Sequence, residues 1–266
     1  MIEPTPFSVN LFTTNDPRVK PALELEALVF LREFGNTSKE LNEEYGPYEN
    51  YSLILCVTDN LTNMIAGMAR IILPNDAIGL KTLNDIARQW PELYNDSYFA
   101  ELFLSTDDHW DIGTVAIAVG YQAPLAAGLV SLGLYQAITQ LAQYCRVDSL
   151  IALLDSKVYR MTRWKFHSPF LPIPGAKAKP YLGSAASYPV YSCISDWGAR
   201  LKVKDPAIYE IIYGGTGIEA AMSPMSIEYG VSLIQNIGLI VDVRATTPDE
   251  LNIAPTPIVD LLDPIR

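Results

Sequence analysis

The segment from Ile112 to Cys145 contains no Asp, Glu, Lys, Arg or His, and this absence of charge constrains the fold more than any other feature. The segment is too long for one strand, because strands usually span about 3–10 residues. A membrane-spanning helix needs about 20 continuous apolar residues, but this segment is interrupted by Gly113, Gly120, Pro124, Gly128 and Gly133. The pattern therefore predicts a buried strand, a tight turn and a buried helix. We expect the anionic part of a ligand at this turn, because the first amides of a helix are unpaired donors.

Composition excludes several classes of protein. Hydrophobic residues make up 49% of the 266 residues, which permits a sizeable core, and the net charge of −11 provides no basic stripe for nucleic acid. Cys56, Cys145 and Cys193 are odd in number and, with two histidines, do not form a zinc-binding spacing. We therefore expect reduced thiols and no metal. The first residues lack the basic and apolar regions of a signal peptide, so we expect a cytoplasmic protein that binds neither membrane nor nucleic acid.

The apolar periodicity predicts a mixed α/β (α+β) fold whose first half is antiparallel. Strands are expected over residues 7–13, 51–57, 63–73, 110–119 and 150–154, with two or three more between 170 and 196. Helices are expected to end at Phe34 and to span residues 81–90, 125–144 and 156–164, whereas residues 38–45 fit either a short helix or a loop. We assign residues 1–200 to one domain and residues 201–266 to a C-terminal extension docked on it.

One charged side chain is predicted to lie on an apolar strand face. Alternation places Arg70 with Met68 and Ile72, and burial of an unpaired ion costs several kcal/mol, so Arg70 needs a carboxylate. If the next strand is an antiparallel neighbour, its first residues bring Asp111 beside Arg70, with Glu101 as the competing partner. Two interpretations stay open: a structural ion pair, or a pair that anchors or polarises a substrate.

The strand that begins at Asp111 is predicted to offer its backbone to a ligand. Strict alternation places five side chains on one face, namely Asp111, Gly113, Val115, Ile117 and Val119, and small side chains on the other. Small residues let the amide groups of a ligand pair with the backbone. The first helix amides, near Leu125 to Gly128, would then face a phosphate. An ordinary core strand, turn and helix is the alternative.

Three other features admit a functional interpretation, and the simpler one is favoured for each. His109 could be a general base, but a solvated loop histidine is simpler. Tyr159 could donate a proton, but a core tyrosine is simpler. Residues 214–217 resemble a phosphate loop only in their glycines, because no lysine follows, so we predict a turn.

Three segments carry a resemblance to a known family. Residues 67–74 read Gly-Met-Ala-Arg-Ile-Ile-Leu-Pro, residues 110–118 read Trp-Asp-Ile-Gly-Thr-Val-Ala-Ile-Ala, and the third segment comprises residues 163–166, 181–183 and 189–191. Together with the order of elements, they resemble the GNAT acyltransferase superfamily. The likeness is nearest the branch of acyl-homoserine-lactone synthases and N-acyl amino acid synthases, and it spans roughly residues 7 to 200.

The resemblance implies transfer of an acyl group from acyl-CoA or acyl carrier protein to the amine of a small molecule such as an amino acid. Asp111, where the branch usually has glutamate, would be the base, with Arg70 and Glu101 as its catalytic neighbours. The donor would be bound by Thr114, Ala116, Ala118, Gln122, Leu125, Ala127 and Gly128. Because Thr114 stands where lactone synthases carry an arginine, lactone formation is not implied.

Two alternatives stay open. The chain could be a catalytically silent GNAT-like protein that binds an acyl or other small ligand, because residues 122–128 depart from the glycine pattern of the family. Met161 also stands where many family members carry a proton-donating tyrosine. The donor could instead be acetyl or another short chain, depending on whether an apolar tunnel is open between Leu102, Phe103, Val130 and Leu134.

Overall fold

The computed structural model describes residues 5–94, 99, 109–122 and 124–238. Its strands are β1 (Phe7–Thr13), β2 (Ser52–Asp59), β3 (Met64–Ile72), β4 (His109–Ile117), β5 (Ser149–Asp155), β6 (Leu171–Pro172), β7 (Lys179–Tyr181), β8 (Ser184–Cys193) and β9 (Met222–Ser223). Its helices are α1 (Lys20–Phe34), α2 (Ser38–Tyr45), α3 (Lys81–Gln89), α4 (Pro91–Tyr94), α5 (Pro124–Tyr144), α6 (Ser156–Lys165), α7 (Ile194–Lys204), α8 (Pro206–Tyr209) and α9 (Ile227–Asn236).

The strands form a mixed sheet flanked by helices. Their order is β6-β8-β5-β4-β3-β2-β1-β9, and β7 pairs with β8. The pairs β1–β2, β2–β3 and β3–β4 are antiparallel, while β4–β5 and β1–β9 are parallel. The mixed α/β fold with an antiparallel first half is therefore confirmed.

Local chemistry sets the ends of the first two helices. Gly35 ends α1 in the left-handed region at φ +79°, and its amide donates to the Leu31 carbonyl. Thr37 and Glu40 form a reciprocal capping box at the start of α2. This cap explains why residues 38–45 form a helix rather than a loop.

The two faces of the sheet bury different helices. On the back face, Ala69, Ile71 and Ile112 pack with Val130 and Leu134 of α5. On the front face, the side chains of Met68, Ile54 and Ala116 pack with those of α1, including Ala22 and Leu25. The alternation predicted for β3 is therefore confirmed, with Met68 and Arg70 on the face opposite Ala69.

The alternation predicted for β4 is wrong beyond its fourth residue. Arg70 of β3 pairs with Thr114, but the next residue, Ile71, pairs with Ile112, so Gly113 is an extra residue that forms a β-bulge. The bulge reverses the faces that follow it. Asp111, Thr114 and Ala116 therefore lie on the front face together, whereas strict alternation would have separated Asp111 from the other two.

The charge-free segment forms the three parts that its composition predicts. It contains most of β4, a 3-10 turn (Val119–Tyr121) and α5. Within the described ranges, no helix combines the length and the apolar character that a membrane crossing requires.

The C-terminal extension continues the sheet in its described part. Met222 of β9 pairs with Phe7 of β1, and α9 packs on α5 and β1, with Val231 and Ile234 in the core. The domain boundary at residue 200 stays a prediction.

Candidate active site

The pairing between β4 and β5 stops after three residue pairs, and the unpaired stretch between the two strands is called the cleft below. The two parallel strands pair only over residues 109–111 and 149–151. Beyond these pairs, β4 continues against β3 as far as Ile117, while β5 continues against β8 as far as Asp155. Among the described residues, the edge of β4 that faces β5 therefore has no strand partner after Asp111. Backbone groups at such an edge can pair with an extended ligand.

The turn after β4 closes one end of this cleft and is fixed by side chains. The Tyr121 hydroxyl donates to Asp59 Oδ2 at 2.6 Å, which holds the turn against the β2–β3 connection. Gln122 Nε2 donates to the Ile117 carbonyl at 3.1 Å. Apart from its own helix, no described residue has a heavy atom within 4 Å of the position that a Cβ would occupy at Gly128.

Tyr45 connects the bulge to two buried cations on the front face. Its hydroxyl donates to the Gly113 carbonyl at 2.8 Å and accepts a hydrogen bond from Thr114 Oγ1 at 3.2 Å. Its ring lies 4.7 Å from the Arg70 guanidinium carbon and 5.0 Å from Lys81 Nζ. Burial raises the pKa of Tyr45 to about 12, so the phenol is protonated at neutral pH.

The predicted contact between Arg70 and Asp111 is wrong. Arg70 is 2% exposed and forms a bidentate pair with Glu26 of α1, with Nε to Oε1 at 3.0 Å and Nη2 to Oε2 at 2.6 Å. Its Nη1 lies 3.6 Å from Glu49 Oε1 and has no hydrogen-bond partner among the described residues. The register explains the error, because Arg70 lies opposite Thr114 while Asp111 lies opposite Ile72.

Asp111 is bound to α3 instead. Its carboxylate accepts from the Thr82 amide at 2.5 Å and from Thr82 Oγ1 at 2.8 Å, and the residue is 0% exposed. These contacts stabilise the N-terminal end of α3, where unpaired amides attract an anion. Burial raises the pKa of Asp111 to about 6, although Thr82 and Lys81 oppose that rise. An acid with a pKa near 6 can exchange a proton close to neutral pH.

A second charged cluster lies beside Tyr45. Lys81 Nζ donates to Glu44 Oε1 at 2.6 Å, to Asp85 Oδ2 at 2.7 Å and to the Tyr181 hydroxyl at 2.5 Å. Burial raises the pKa of Tyr181, and the neighbouring Asp85 carboxylate adds to the rise. The cluster joins α2, α3 and β7, so it fixes the helices that cover the front of the cleft.

The other residues predicted for the site, most of them to bind the acyl donor, fall in three groups. Thr114 and Ala116 are buried on the front face, so only their backbone could meet a ligand in the cleft. Ala118, Gln122 and Gly128 lie at or beside the turn. Glu101 and the side chains of Leu125 and Ala127 lie outside the described residues.

Sequence reasoning did not find the partners of Arg70 and Asp111. Glu26 lies on the apolar stripe of α1, three residues after Leu23 and one before Ala27. A charge on such a stripe is the sequence signal that would have indicated a buried ion pair. Thr82 is uncharged and carried no such pattern.

Three lesser predictions have clear outcomes. His109 is buried in β4, so the solvated loop histidine is wrong. Tyr159 is buried against Tyr188, which confirms a core tyrosine. Gly215 has φ +74° and Gly217 has φ +106°, which confirms a turn.

The described residues contain no cluster of three His, Cys, Asp or Glu side chains that could hold a metal ion.

Comparison with known proteins identifies the fold through structure alone. The sequence matches no protein-family model and no curated protein. The N-acyl amino acid synthase FeeM from uncultured soil microbes has a TM-score of 0.53 and 12% identity, over 76% of this chain and 99% of that chain. The CoA-dependent acyl-homoserine lactone synthase BjaI, solved with MTA, has a TM-score of 0.53 and 11% identity over 85% and 99%. The acyl-homoserine lactone synthase LasI has a TM-score of 0.52 and 14% identity over 78% and 94%.

These likenesses confirm the GNAT-like fold that the sequence resemblance predicted. The similar structures come from the branch that the sequence resembles. At this level of identity the likeness concerns the fold alone.

Proposed function

We propose that this protein is an N-acyltransferase that moves an acyl group from a thioester donor to the amine of a small molecule such as an amino acid. The observation that carries the proposal is the cleft at the β4 bulge, where β4 and β5 separate after three paired residues. The similar structures are synthases that, by their names, form N-acyl amino acids or acyl-homoserine lactones. Their shared fold supports acyl transfer here.

The donor would lie in the cleft with its arm along β4. The backbone from Thr114 to Ala118 would pair with the amides of a pantetheine arm, because this edge of β4 has no strand partner after Asp111 among the described residues. The turn at Gln122 and the first amides of α5, near Leu125, Ala127 and Gly128, would bind the phosphates. A cleft that accepts a pantetheine arm fits both acyl-CoA and an acyl carrier protein.

The reaction would be direct transfer. The amine nitrogen attacks the thioester carbonyl carbon, and a backbone amide of β4 stabilises the resulting oxyanion. The C–S bond then breaks, the new C–N bond remains as an amide, and the thiolate leaves as the thiol after it takes a proton. No covalent enzyme intermediate is needed.

Asp111 would take the proton from the attacking amine. Asp111 has no exposed surface and Thr82 is only 3% exposed, so the proton would reach the carboxylate through the Thr82 hydroxyl, which donates to Asp111 Oδ1 at 2.8 Å, after the acceptor has entered beside α3. The pKa of about 6 suits a base that works near neutral pH.

Arg70 would bind the carboxylate of the acceptor rather than orient Asp111. A cavity of about 40 Å³ lies beside its guanidinium and is also lined by Glu26, Ser38, Asn42 and Glu49. The Nη1 atom, which makes no hydrogen bond with a described residue, provides a donor at this cavity. The cavity is small, so α2 would have to move outward to admit more than one polar group.

A second candidate is an acyl-binding protein without catalysis. Met161 is 44% exposed on α6, and the tyrosine of that helix, Tyr159, is buried. No tyrosine on α6 therefore presents a hydroxyl that could protonate the thiolate.

Two measurements test the proposal. We expect one member of a panel of acyl-CoAs and acyl carrier proteins to stabilise the protein by about 2.7 kcal/mol at 100 times its dissociation constant. We then expect release of free thiol when a pool of amino acids is added. Binding without thiol release from any pair of donor and amine would support the acyl-binding protein instead.

Matched variants test the proton transfer. Asp111→Asn and Thr82→Val remove the acceptor and the relay, so thiol release should fall by about 10²–10⁴-fold, the usual contribution of a general base. Thr82→Ser keeps the hydroxyl and should keep the rate within a few-fold. Donor binding should be unchanged in all three, and an equal rate in Thr82→Val and Thr82→Ser would remove the relay from the mechanism.

A further inference from the structure

The bulge in β4 is contacted from outside the sheet by a single hydroxyl group. Gly113 is the extra residue of the bulge, so the regular pairing of β4 with β3 is interrupted there. The hydroxyl of Tyr45, the last residue of α2, donates to the Gly113 carbonyl at 2.8 Å and accepts from Thr114 Oγ1 at 3.2 Å. One phenol on a helix therefore contacts both residues at the irregular point of the strand.

This hydrogen bond sets the direction of a backbone amide as well as that of the carbonyl. The Gly113 carbonyl and the Thr114 amide belong to the same peptide group, which is planar and holds the two groups in opposite directions. The extra residue of a bulge is left unpaired in the ladder, so the ladder constrains this peptide group less than its neighbours. A contact from α2 therefore has its largest influence at this point of β4.

The Tyr45 side chain is itself held in place on several sides. Its ring lies 4.7 Å from the guanidinium carbon of Arg70, 5.0 Å from Lys81 Nζ and, edge to face, 6.4 Å from the ring of Phe30. The residue is buried, and its pKa of about 12 keeps the hydroxyl protonated at neutral pH. The phenol is therefore a fixed donor with one orientation.

The absence of a side chain at residue 113 lets the phenol come this close. A Cβ at Gly113 would lie 3.1 Å from Tyr45 Cε1 and 3.4 Å from Arg70 Cδ. The φ angle of Gly113 lies outside the left-handed region, so backbone conformation does not require glycine there. Contact with the Tyr45 ring is the physical reason for glycine at this position.

We propose that Tyr45 is a positioning residue whose hydroxyl orients the Gly113–Thr114 peptide group and thereby aligns the β4 amides that stabilise the oxyanion of acyl transfer. The inference rests on the proposed function and adds a residue of α2 to it. An oxyanion is stabilised well only by donors at about 2.7–3.1 Å from its oxygen. A small rotation of this peptide group would therefore lower the rate without removing any group that touches the substrate.

The kinetic test removes one hydroxyl and keeps the ring. Tyr45→Phe is compared with Tyr48→Phe, a buried tyrosine of the same apolar cluster whose hydroxyl accepts from Asn84 Nδ2 at 2.9 Å. The probe is thiol release from saturating octanoyl-CoA, with an equimolar pool of amino acids as acceptor. The maximal rate should fall at least 10-fold in Tyr45→Phe and stay within two-fold in Tyr48→Phe.

The donor's dissociation constant separates positioning from binding. It should stay within three-fold in both variants, because the rest of the β4 edge still pairs with the pantetheine arm. An unchanged maximal rate in Tyr45→Phe, or an equal loss of rate in Tyr48→Phe, would overturn the inference. A large rise in the dissociation constant with an unchanged rate would overturn it as well.

A second variant disturbs the same contact from the strand. Gly113→Ala places a methyl group against the Tyr45 ring, so its maximal rate should also fall at least 10-fold. The double variant Tyr45→Phe with Gly113→Ala should be within two-fold of the slower single variant, because both changes act through one hydrogen bond. Losses that multiply would show two independent effects and overturn the inference.

A spectroscopic measurement needs no turnover. Labelling glycine with ¹³C at the carbonyl and threonine with ¹⁵N gives coupled NMR signals only from Gly–Thr bonds, which occur at 113–114 and 215–216. Tyr45→Phe should shift the first signal and leave the second in place, while Tyr48→Phe should shift neither. An unshifted first signal with normal thiol release would overturn only the role of Tyr45. A shifted signal without thiol release from any donor and amine would overturn the proposed function instead.

Discussion

At the scale of single residues, the two charged side chains that the sequence paired are each bound to another element. Arg70 is bound to Glu26 on α1 and Asp111 to Thr82 on α3, although both charges lie on the front face. A buried charge selects the nearest partner with suitable geometry. The two contacts attach α1 to β3 and α3 to β4.

The raised pKa of Asp111 predicts a dependence of stability on pH. The folded carboxyl has a pKa of about 6 against an ordinary 3.8, so between about pH 4 and pH 6 the folded state holds a proton that the unfolded state has lost. The contribution of the Asp111 carboxyl to the free energy of unfolding is therefore fully present below pH 4 and is lost as the pH rises through 6. Asp111→Asn does not titrate, so its stability relative to the unchanged protein should improve by about 3 kcal/mol from pH 4 to pH 7. Urea denaturation at both pH values measures this difference, and a constant difference would contradict the raised pKa.

At the scale of elements, the turn between β7 and β8 packs on the end of α1. Gly183 has φ +80°, and a Cβ there would overlap the Phe34 carbonyl. Gly35 has almost the same φ of +79°, but among the described residues outside its chain neighbours no heavy atom lies within 4 Å of its Cβ position. An alanine would therefore meet the same backbone strain at both positions, but only at Gly183 would it also meet the closely packed end of α1.

This difference predicts unequal costs for the same substitution. Gly35→Ala should destabilise the protein by roughly 1–2 kcal/mol from left-handed strain alone. Gly183→Ala should cost a further 1–3 kcal/mol, because the methyl group must displace the end of α1. Denaturant midpoints of the two variants provide the measurement. Equal midpoints would show that the turn does not contact α1 in solution.

At the scale of the whole molecule, the last described elements belong to the main core. Met222 of β9 is buried against Gly133 of α5, where a Cβ would overlap its sulfur. The helix and the edge strand therefore approach closely because residue 133 has no side chain. Strand β9 pairs with Phe7 and Ser8 at the start of β1 and is the last strand of the sheet on that side.

Paired methionine substitutions test this packing. Met222→Ala should cost about 2–5 kcal/mol, because it leaves a cavity beneath β9. Met64→Ala, at an exposed methionine of β3, should change stability by less than about 0.5 kcal/mol. Both are measured by thermal and urea unfolding. A small effect at Met222 would mean that the extension separates from the sheet before the core unfolds.

The sequence by itself determined the order of the elements and the faces of β3, because each depends on local periodicity and on caps such as Gly35. It also determined the GNAT-like fold class. The tertiary structure alone decided the partners of Arg70 and Asp111, because these depend on which helices pack on the front face beside each side chain. It also decided the faces of β4 beyond Gly113, because one extra residue there forms a bulge. A β-bulge leaves no periodic pattern in the sequence. A buried charge can pair with a partner on any element that packs beside it. The cleft likewise depends on where two distant strands stop pairing, which no local pattern encodes.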